Sequence, residues 1–308
     1  MANTYLDTYV TIGNREGLTN VVADLFADDT PLLSMSRKIK SISTKHEWQV
    51  DNLASAATTG IVEGAALSYS ARAVRTRRMN YTHIRLRNWD VSFTQMAVTT
   101  AGIKDDVARE LMKALKELGT DFEKIFVNTG TTAVGASNTA RTAMGLLKAI
   151  KTNTGLGTDG ASGAAISQLT EDIVNARLQE VWDAGGDPRA LICGGYQKRV
   201  ISKNFSAKTG FTFNIEASTR QAIANINKYE GAFGTVDIIP NRHIPVARLA
   251  ITTPEQIKVA VLRDIQSYKG APTASSVKGW VEGEMTLQFG NEKAHAEQAQ
   301  LDSSGAIS

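Results

Sequence analysis

The longest regular pattern in the chain runs from Lys104 to Phe126. Val107, Leu111, Leu115, Leu118, Phe122 and Ile125 recur three and four residues apart, which places them on one stripe of an α-helix. Asp105 and Asp106 stand in its first turn, where the helix dipole favours anions. At about 1.5 Å per residue the rod is about 35 Å long, enough to serve as a spine. Gly119 costs about 1 kcal/mol relative to alanine inside a helix and marks a candidate bend.

A second pattern has a period of two. Lys45–Val50 reads as a strand, and Tyr69–Ser92 as long strand material in which Ile84 and Leu86 face one way while His83, Arg85 and Arg87 face the other. Between them, Asp51–Gly64 is small, polar and rich in Gly, Ala and Thr, the composition of a flexible tip. Two strands joined by such a tip form an extended hairpin. An isolated hairpin is marginal in water, so it must pack on something, a neighbouring copy being one option.

The other elements are shorter. Leu18, Val21, Val22, Leu25 and Phe26 predict an amphipathic helix on an N-terminal arm, stopped at Thr30-Pro31. Thr129–Gln168 is loop-like apart from an amphipathic piece at Arg141–Ile150. Thr170 caps a helix over Glu171–Ala184, with Gly185 as its stop. A buried strand at Ala190–Cys193 and a helix at Tyr196–Phe205 follow. Strands are expected near Gly210–Asn214, Gln221–Asn227, Thr235–Ile239, Arg248–Ile251, Lys258–Leu262 and Gly279–Phe289, and Asn291–Ser308 reads as a polar tail that frays. Helices and strands mix without the alternation of a doubly wound parallel sheet, so the fold class is α+β.

Composition narrows the picture. The 308 residues suit about two domains or one large one. With 42% apolar and 21% charged residues, the chain is a cored protein and not a disordered one. A net charge of +3 does not make nucleic-acid binding the default. One cysteine, Cys193, excludes an internal disulfide and a cysteine-based zinc site. Met1–Ile12 lacks the pattern of a secretion signal, and no stretch approaches about 18 uninterrupted apolar residues.

Candidate chemistry is sparse. Gly155–Gly160 matches G-x-G-x-x-G, but the residues before it look helical and those after it continue a loop, the reverse of a dinucleotide fingerprint. A nucleotide-binding enzyme stays as a remote alternative. His46 and Glu47 are neighbours, so on a strand they point to opposite faces. No Ser stands in G-x-S-x-G, and Cys193 ends an apolar strand. No catalytic residue, cofactor or metal site is assigned.

The anomaly is electrostatic. Arg72, Arg75, Arg77, Arg78, Arg85 and Arg87 fall within sixteen residues that contain no Asp or Glu. A solvated face, a phosphate-binding strand and a contact with an acidic surface on another copy all fit. The arm supplies such a surface, with Asp7, Glu16, Asp24, Asp28 and Asp29 against Arg15, and guanidinium forks suit carboxylates. Each exposed pair contributes only about 0–1 kcal/mol, but repetition in a closed assembly multiplies weak terms. The third reading is therefore favoured, with Glu47, Trp48 and Asp51 as further subunit-contact candidates.

A set of ordered strings carries a resemblance. They are Asn14-Arg15-Glu16 leading to Asp29-Thr30-Pro31-Leu32-Leu33-Ser34, His46-Glu47-Trp48-Gln49-Val50-Asp51-Asn52-Leu53, and Glu63-Gly64. Val91-Ser92 with Thr94, Thr139-Ala140-Arg141-Thr142-Ala143-Met144-Gly145-Leu146, Ala232-Phe233-Gly234-Thr235-Val236 with Ile239-Pro240-Asn241-Arg242, and Gly283-Glu284-Met285-Thr286-Leu287 follow. Across most of its length the chain resembles a family of tailed-bacteriophage major capsid proteins first catalogued as a domain of unknown function. Phe93 departs from the small residue or glycine expected there.

The resemblance implies the Hong Kong 97-type capsid fold: N-terminal arm (1–40), extended loop (41–95), peripheral domain with the spine helix (96–139), axial domain (140–252), and C-terminal strands returning to the peripheral domain, with a tail (253–308). It further implies self-assembly through hexamers and pentamers into an icosahedral shell in the virion, assembled in the host cytoplasm around double-stranded DNA held without sequence-specific binding. Portal and scaffold or decoration proteins would be partners, and no membrane. A nanocompartment shell of the same fold is the alternative. Lys–Asn cross-linking residues are not carried over.

Overall fold

The computed structural model describes residues 29–303, except 55, 67–68, 70–71, 73, 99–102, 104, 129, 157–167, 209–225 and 272–274, and except the side chains of 205–208. The expected arm helix, the strand at Gly210–Asn214 and most of the one at Gln221–Asn227 lie outside the described residues. Ile226 and Asn227, which are described, are not in a strand.

Two sheets and a separate ribbon make the frame. Strands β1 (Arg37–Lys40), β4 (His83–Ser92), β10 (Lys258–Lys269) and β11 (Ser276–Gln288) form a four-stranded sheet in the order β1-β10-β11-β4, with β1 and β10 parallel. The spine, α3 (Asp106–Asn128), lies across this sheet. Its Leu118, Phe122 and Phe126 share one core with Trp89, Val91, Val281 and Leu287. Asp105 caps the helix, its Oδ1 accepting from the Val107 and Ala108 amides at 2.9 and 3.1 Å. Gly279 lies opposite Trp89. A Cβ there would stand 2.3 Å from the indole, so the glycine makes room for the ring.

The second sheet has six strands in the order β5-β12-β9-β6-β8-β7, formed by Thr154–Leu156, Ala296–Ala299, Leu249–Thr252, Ala190–Cys193, Gly234–Pro240 and Lys228–Gly231. Helices α5 (Glu171–Asp183) and α6 (Gly195–Lys208) cover it, with Val174, Leu178, Val181, Val200 and Ile201 buried. The Thr170 cap is present, its side chain accepting from the Ile173 amide, and Gly185 follows the helix at φ 82. Strands β6 and β9 are buried on both faces: Leu191, Leu249 and Ile251 point to this core, Ile192 and Ala250 to the spine's. That explains their uninterrupted apolar runs.

Several expectations need correction. Tyr69–Ser92 is not one strand. Strand β3 (Thr76–Tyr81) pairs only with β2 (Lys45–Val50), the chain breaks at Thr82, and β4 enters the four-stranded sheet. Pro31, expected as a helix stop, opens a short helix, α1 (Pro31–Met35), as suits its missing amide hydrogen. Of Arg141–Ile150 only α4 (Leu146–Ala149) is helical. The tail does not fray throughout, because Ala296–Ala299 is fully buried between β5 and β9 and Leu301 is buried beyond it. The C-terminal segment thus crosses from the four-stranded to the six-stranded sheet.

Candidate functional site: the ribbon and its anchor

Strand pairing puts His46 opposite Asn80, Trp48 opposite Arg78 and Val50 opposite Thr76. Paired residues share a face, so one side of the ribbon carries these side chains and the other carries Lys45, Glu47, Gln49, Arg77 and Met79. The first side is seated on the crossover between the two sheets. Trp48 meets Phe289 edge-on at 5.0 Å, and its indole N–H donates to the Gly290 carbonyl at 2.9 Å. His46 Nε2 lies 2.8 Å from Gln288 Oε1, Arg78 pairs with Glu292 at 3.0 Å, and the Asn291 amide donates to Asn52 Oδ1. Asn80 is fully buried, donating to the carbonyls of Met144 and Leu287 and accepting from the Met144 amide.

Beneath the anchor, His295 is buried and neutral. Its Nε2 contacts the Phe289 carbonyl at 3.0 Å, Nδ1 accepts from the Thr253 amide, and burial drives its pKa down to about 4.

The tip differs. The described residues of Asp51–Gly64 form no strand, as expected for a loop, and the described residues between Tyr69 and Arg75, expected as strand, form none either. Leu53 is 99% exposed, Tyr69 92% and Val74 88%, with Ile61 and Val62 also out in solvent. These are large apolar side chains that the described residues of their own chain leave uncovered.

The arginine row divides. Arg85 and Arg87 lie on the β4 face turned to the spine, where both bond Asp121 at 2.7–2.8 Å. Burial pushes the Asp121 carboxyl up, but the two guanidinium forks win and hold it below its ordinary value. The apolar Ile84 and Leu86 therefore point outward, about half exposed. Arg75 reaches Asp51 at 3.4 Å and Arg77 reaches Glu47 at 3.6 Å, on a well-exposed face. Arg72 is exposed in the tip. Of the acidic candidates, Asp29 pairs with Arg242 at 3.1 Å. Glu16, Asp24 and Asp28 lie outside the described residues.

Three buried carboxylates escaped sequence reasoning: Glu297 on β12, beside Arg248 at 3.0 Å, and two that tie distant elements together. Glu123 on the spine accepts from the Leu32 and Leu33 amides at 2.9 Å and from Asn241 at 2.6 Å. It ties the start of α1 and the strand end after β8 to the spine. Burial raises its pKa against these bonds. Its signal was a charge beside Phe122 in the apolar stripe. Glu284 on β11 gathers Thr82, Arg141 and Arg263 at 2.6, 2.6 and 3.1 Å. Burial works against its ionisation, yet these partners hold it below the ordinary carboxylate range.

Other chemistry does not assemble. Cys193 is buried and its thiol is pushed up to about 12 by burial, so it is inert at neutral pH. Gly155 sits in β5, where a Cβ would collide with Gln298, a packing reason for the glycine; residues 157–160 lie outside the described residues. Among the described residues no His, Cys, Asp and Glu cluster could hold a metal ion, and no helix is long and apolar enough to cross a membrane.

With this geometry in place, the comparisons are consistent. The sequence model described as SU10 major capsid protein matches residues 4–302. No curated protein matches. Among solved structures, the capsid of the cyanophage A-1(L) superposes with a TM-score of 0.69 at 13% identity, covering 94% of this chain and 97% of that one. The capsid of a native GTA particle gives 0.65 at 13%, covering 95% and 96%. The holo-SrpI encapsulin of Synechococcus elongatus gives 0.62 at 11%, covering 95% of each. At such identities these structures establish the fold, of the Hong Kong 97 type.

Proposed function

This chain belongs to the SU10 major capsid protein family, and from that premise we propose how it builds a phage shell. Copies associate as hexamers and pentamers that close an icosahedral shell around double-stranded DNA, held without sequence-specific contacts. The ribbon carries the reading: its root is fixed to its own chain, and its apolar tip stays exposed among the described residues. In the shell the tip lies on the next copy. Fully burying a Leu, Ile or Val side chain contributes about 1.5–3 kcal/mol, and a closed assembly repeats that gain at every copy.

In this reading residues 1–40 are the arm, 41–95 the extended loop, 96–139 the peripheral domain with the spine helix, 140–252 the axial domain, and 253–308 the C-terminal strands returning to the peripheral domain, with a tail. The exposed faces of Arg72, Arg75 and Arg77, with Glu47 and Asp51, are subunit contacts, and the arm ties neighbouring copies together. Portal and scaffold or decoration proteins are further partners, and assembly takes place in the host cytoplasm.

Deleting Asp51–Gly64 tests this. It should leave folded monomers or capsomers and no closed particles by negative-stain microscopy; intact shells from the deletion would defeat the proposal. The likeness to an encapsulin favours one second reading, a nanocompartment shell. DNA of uniform length inside purified particles separates the two.

A further inference from the structure

The spine carries a stripe that the described residues cover only in part. Ala108, Met112, Leu115 and Gly119 stand four, three and four residues apart, one face of a helix. Its C-terminal continuation is covered by α1: Thr30 lies against Gly119, Glu123 holds the first amides of α1, and Phe126 is fully buried. The N-terminal half is open. Met112 is 60% exposed, Leu115 is 37% exposed, and Ala108 is exposed. One residue further round, Arg109, Lys113 and Lys116 repeat the same spacing, so a basic row runs beside the apolar one.

The chain that precedes Asp29 matches this surface. Leu18, Val21, Val22 and Leu25 share one helical face, and Asp24 and Asp28 flank it at i, i+4. Residues 18–28 as a helix would span about 16 Å, and Ala108 to Gly119 along the spine is also about 16 Å. The described chain begins at Asp29 and Thr30, beside Gly119, where the bare half starts. Reach, apolar area and charge sign therefore agree.

We infer that residues 17–28 dock as an amphipathic helix on Ala108, Met112 and Leu115 of the spine of their own chain, with Asp24 and Asp28 along the Arg109–Lys113–Lys116 row. The docked helix completes the cover that α1 begins. Residues 1–16 remain beyond it, free to reach a neighbouring copy. The helix joins α1 almost directly, so its effective concentration over the stripe is in the millimolar range expected of a short tether. A second copy would have to compete with that.

Cysteine pairs in the full-length protein test this. Met112→Cys is combined in turn with Leu18→Cys, Val22→Cys and Leu25→Cys, at positions that leave the cores intact; buried Cys193 stays in place. Mild oxidation followed by non-reducing electrophoresis separates the outcomes. At least one pair should close within the chain, giving a monomer of shifted mobility. It should close about ten-fold or more faster than the same arm cysteine with Glu110→Cys on another face, as tethering at the stripe requires. Interchain dimers as the main product would overturn the assignment in favour of a second copy's arm. Failure of all three pairs to exceed the Glu110→Cys control would overturn it outright. Shell formation is scored separately, so a failed arm contact is distinguishable from a failed capsid reading.

Discussion

The root and the tip of the β2–β3 ribbon are a few residues apart and obey opposite rules. At the root every second side chain finds a partner in its own chain: Trp48 on Phe289 and Gly290, His46 on Gln288, Arg78 on Glu292, Asn80 on Met144 and Leu287. At the tip Leu53, Ile61, Val62, Tyr69 and Val74 stand exposed, with no cover among the described residues. Five large apolar side chains exposed on one loop are the sign expected of an interaction surface. The difference separates two tasks. The root aims the ribbon by locking it to the segment that joins the two sheets, and the tip offers apolar area that the described residues leave exposed.

Substitutions at the two ends should therefore read out differently. Trp48→Ala removes a buried indole and its hydrogen bond, and such truncations cost about 3–5 kcal/mol. Chemical denaturation should show that loss in the unassembled chain. A variant as stable as the parent would mean that the root is not anchored as described.

Acid is the next largest lever on the root. His295, under Phe289, has a folded pKa of about 4 against an ordinary 6.5. The unfolded chain thus takes up a proton that the folded one refuses. Stability is full above about pH 6.5, falls as the pH drops toward 4, and loses roughly 3 kcal/mol across that window. In His295→Gln this part of the pH dependence should vanish. An unchanged profile in the variant would place the acid sensitivity elsewhere.

The smallest effect on folding belongs to the tip. The double substitution Leu53→Ser and Ile61→Ser should leave monomer stability within about 0.5 kcal/mol and still reduce shell yield. If thermal melting drops and assembly is untouched, root and tip have been assigned the wrong way round.

Periodicity revealed what local rules govern. Lys45–Val50, the spine and the Thr170-capped helix could be read because each shows its period and its cap. The break at Thr82 could not, because no glycine or proline marks it and only hydrogen-bond partners distinguish the ribbon from the sheet. Strand β12 escaped for a different reason. Ala296, Glu297, Gln298 and Ala299 look like a polar tail, yet Glu297 is buried beside Arg248 at 3.0 Å and Gln298 packs against Gly155. The arginine row stood out as charge, but the acid that Arg85 and Arg87 bond, Asp121, lies 36 and 34 residues away and across the sheet–helix interface. Tertiary pairing of that kind leaves no local trace.

The central claim is that like copies supply the cover that the tip lacks. Light scattering on purified full-length protein tests it most directly. The account predicts particles of many subunits, or discrete capsomers that convert to them as concentration rises. A compact solitary species of 33.2 kDa that persists at high concentration would contradict it.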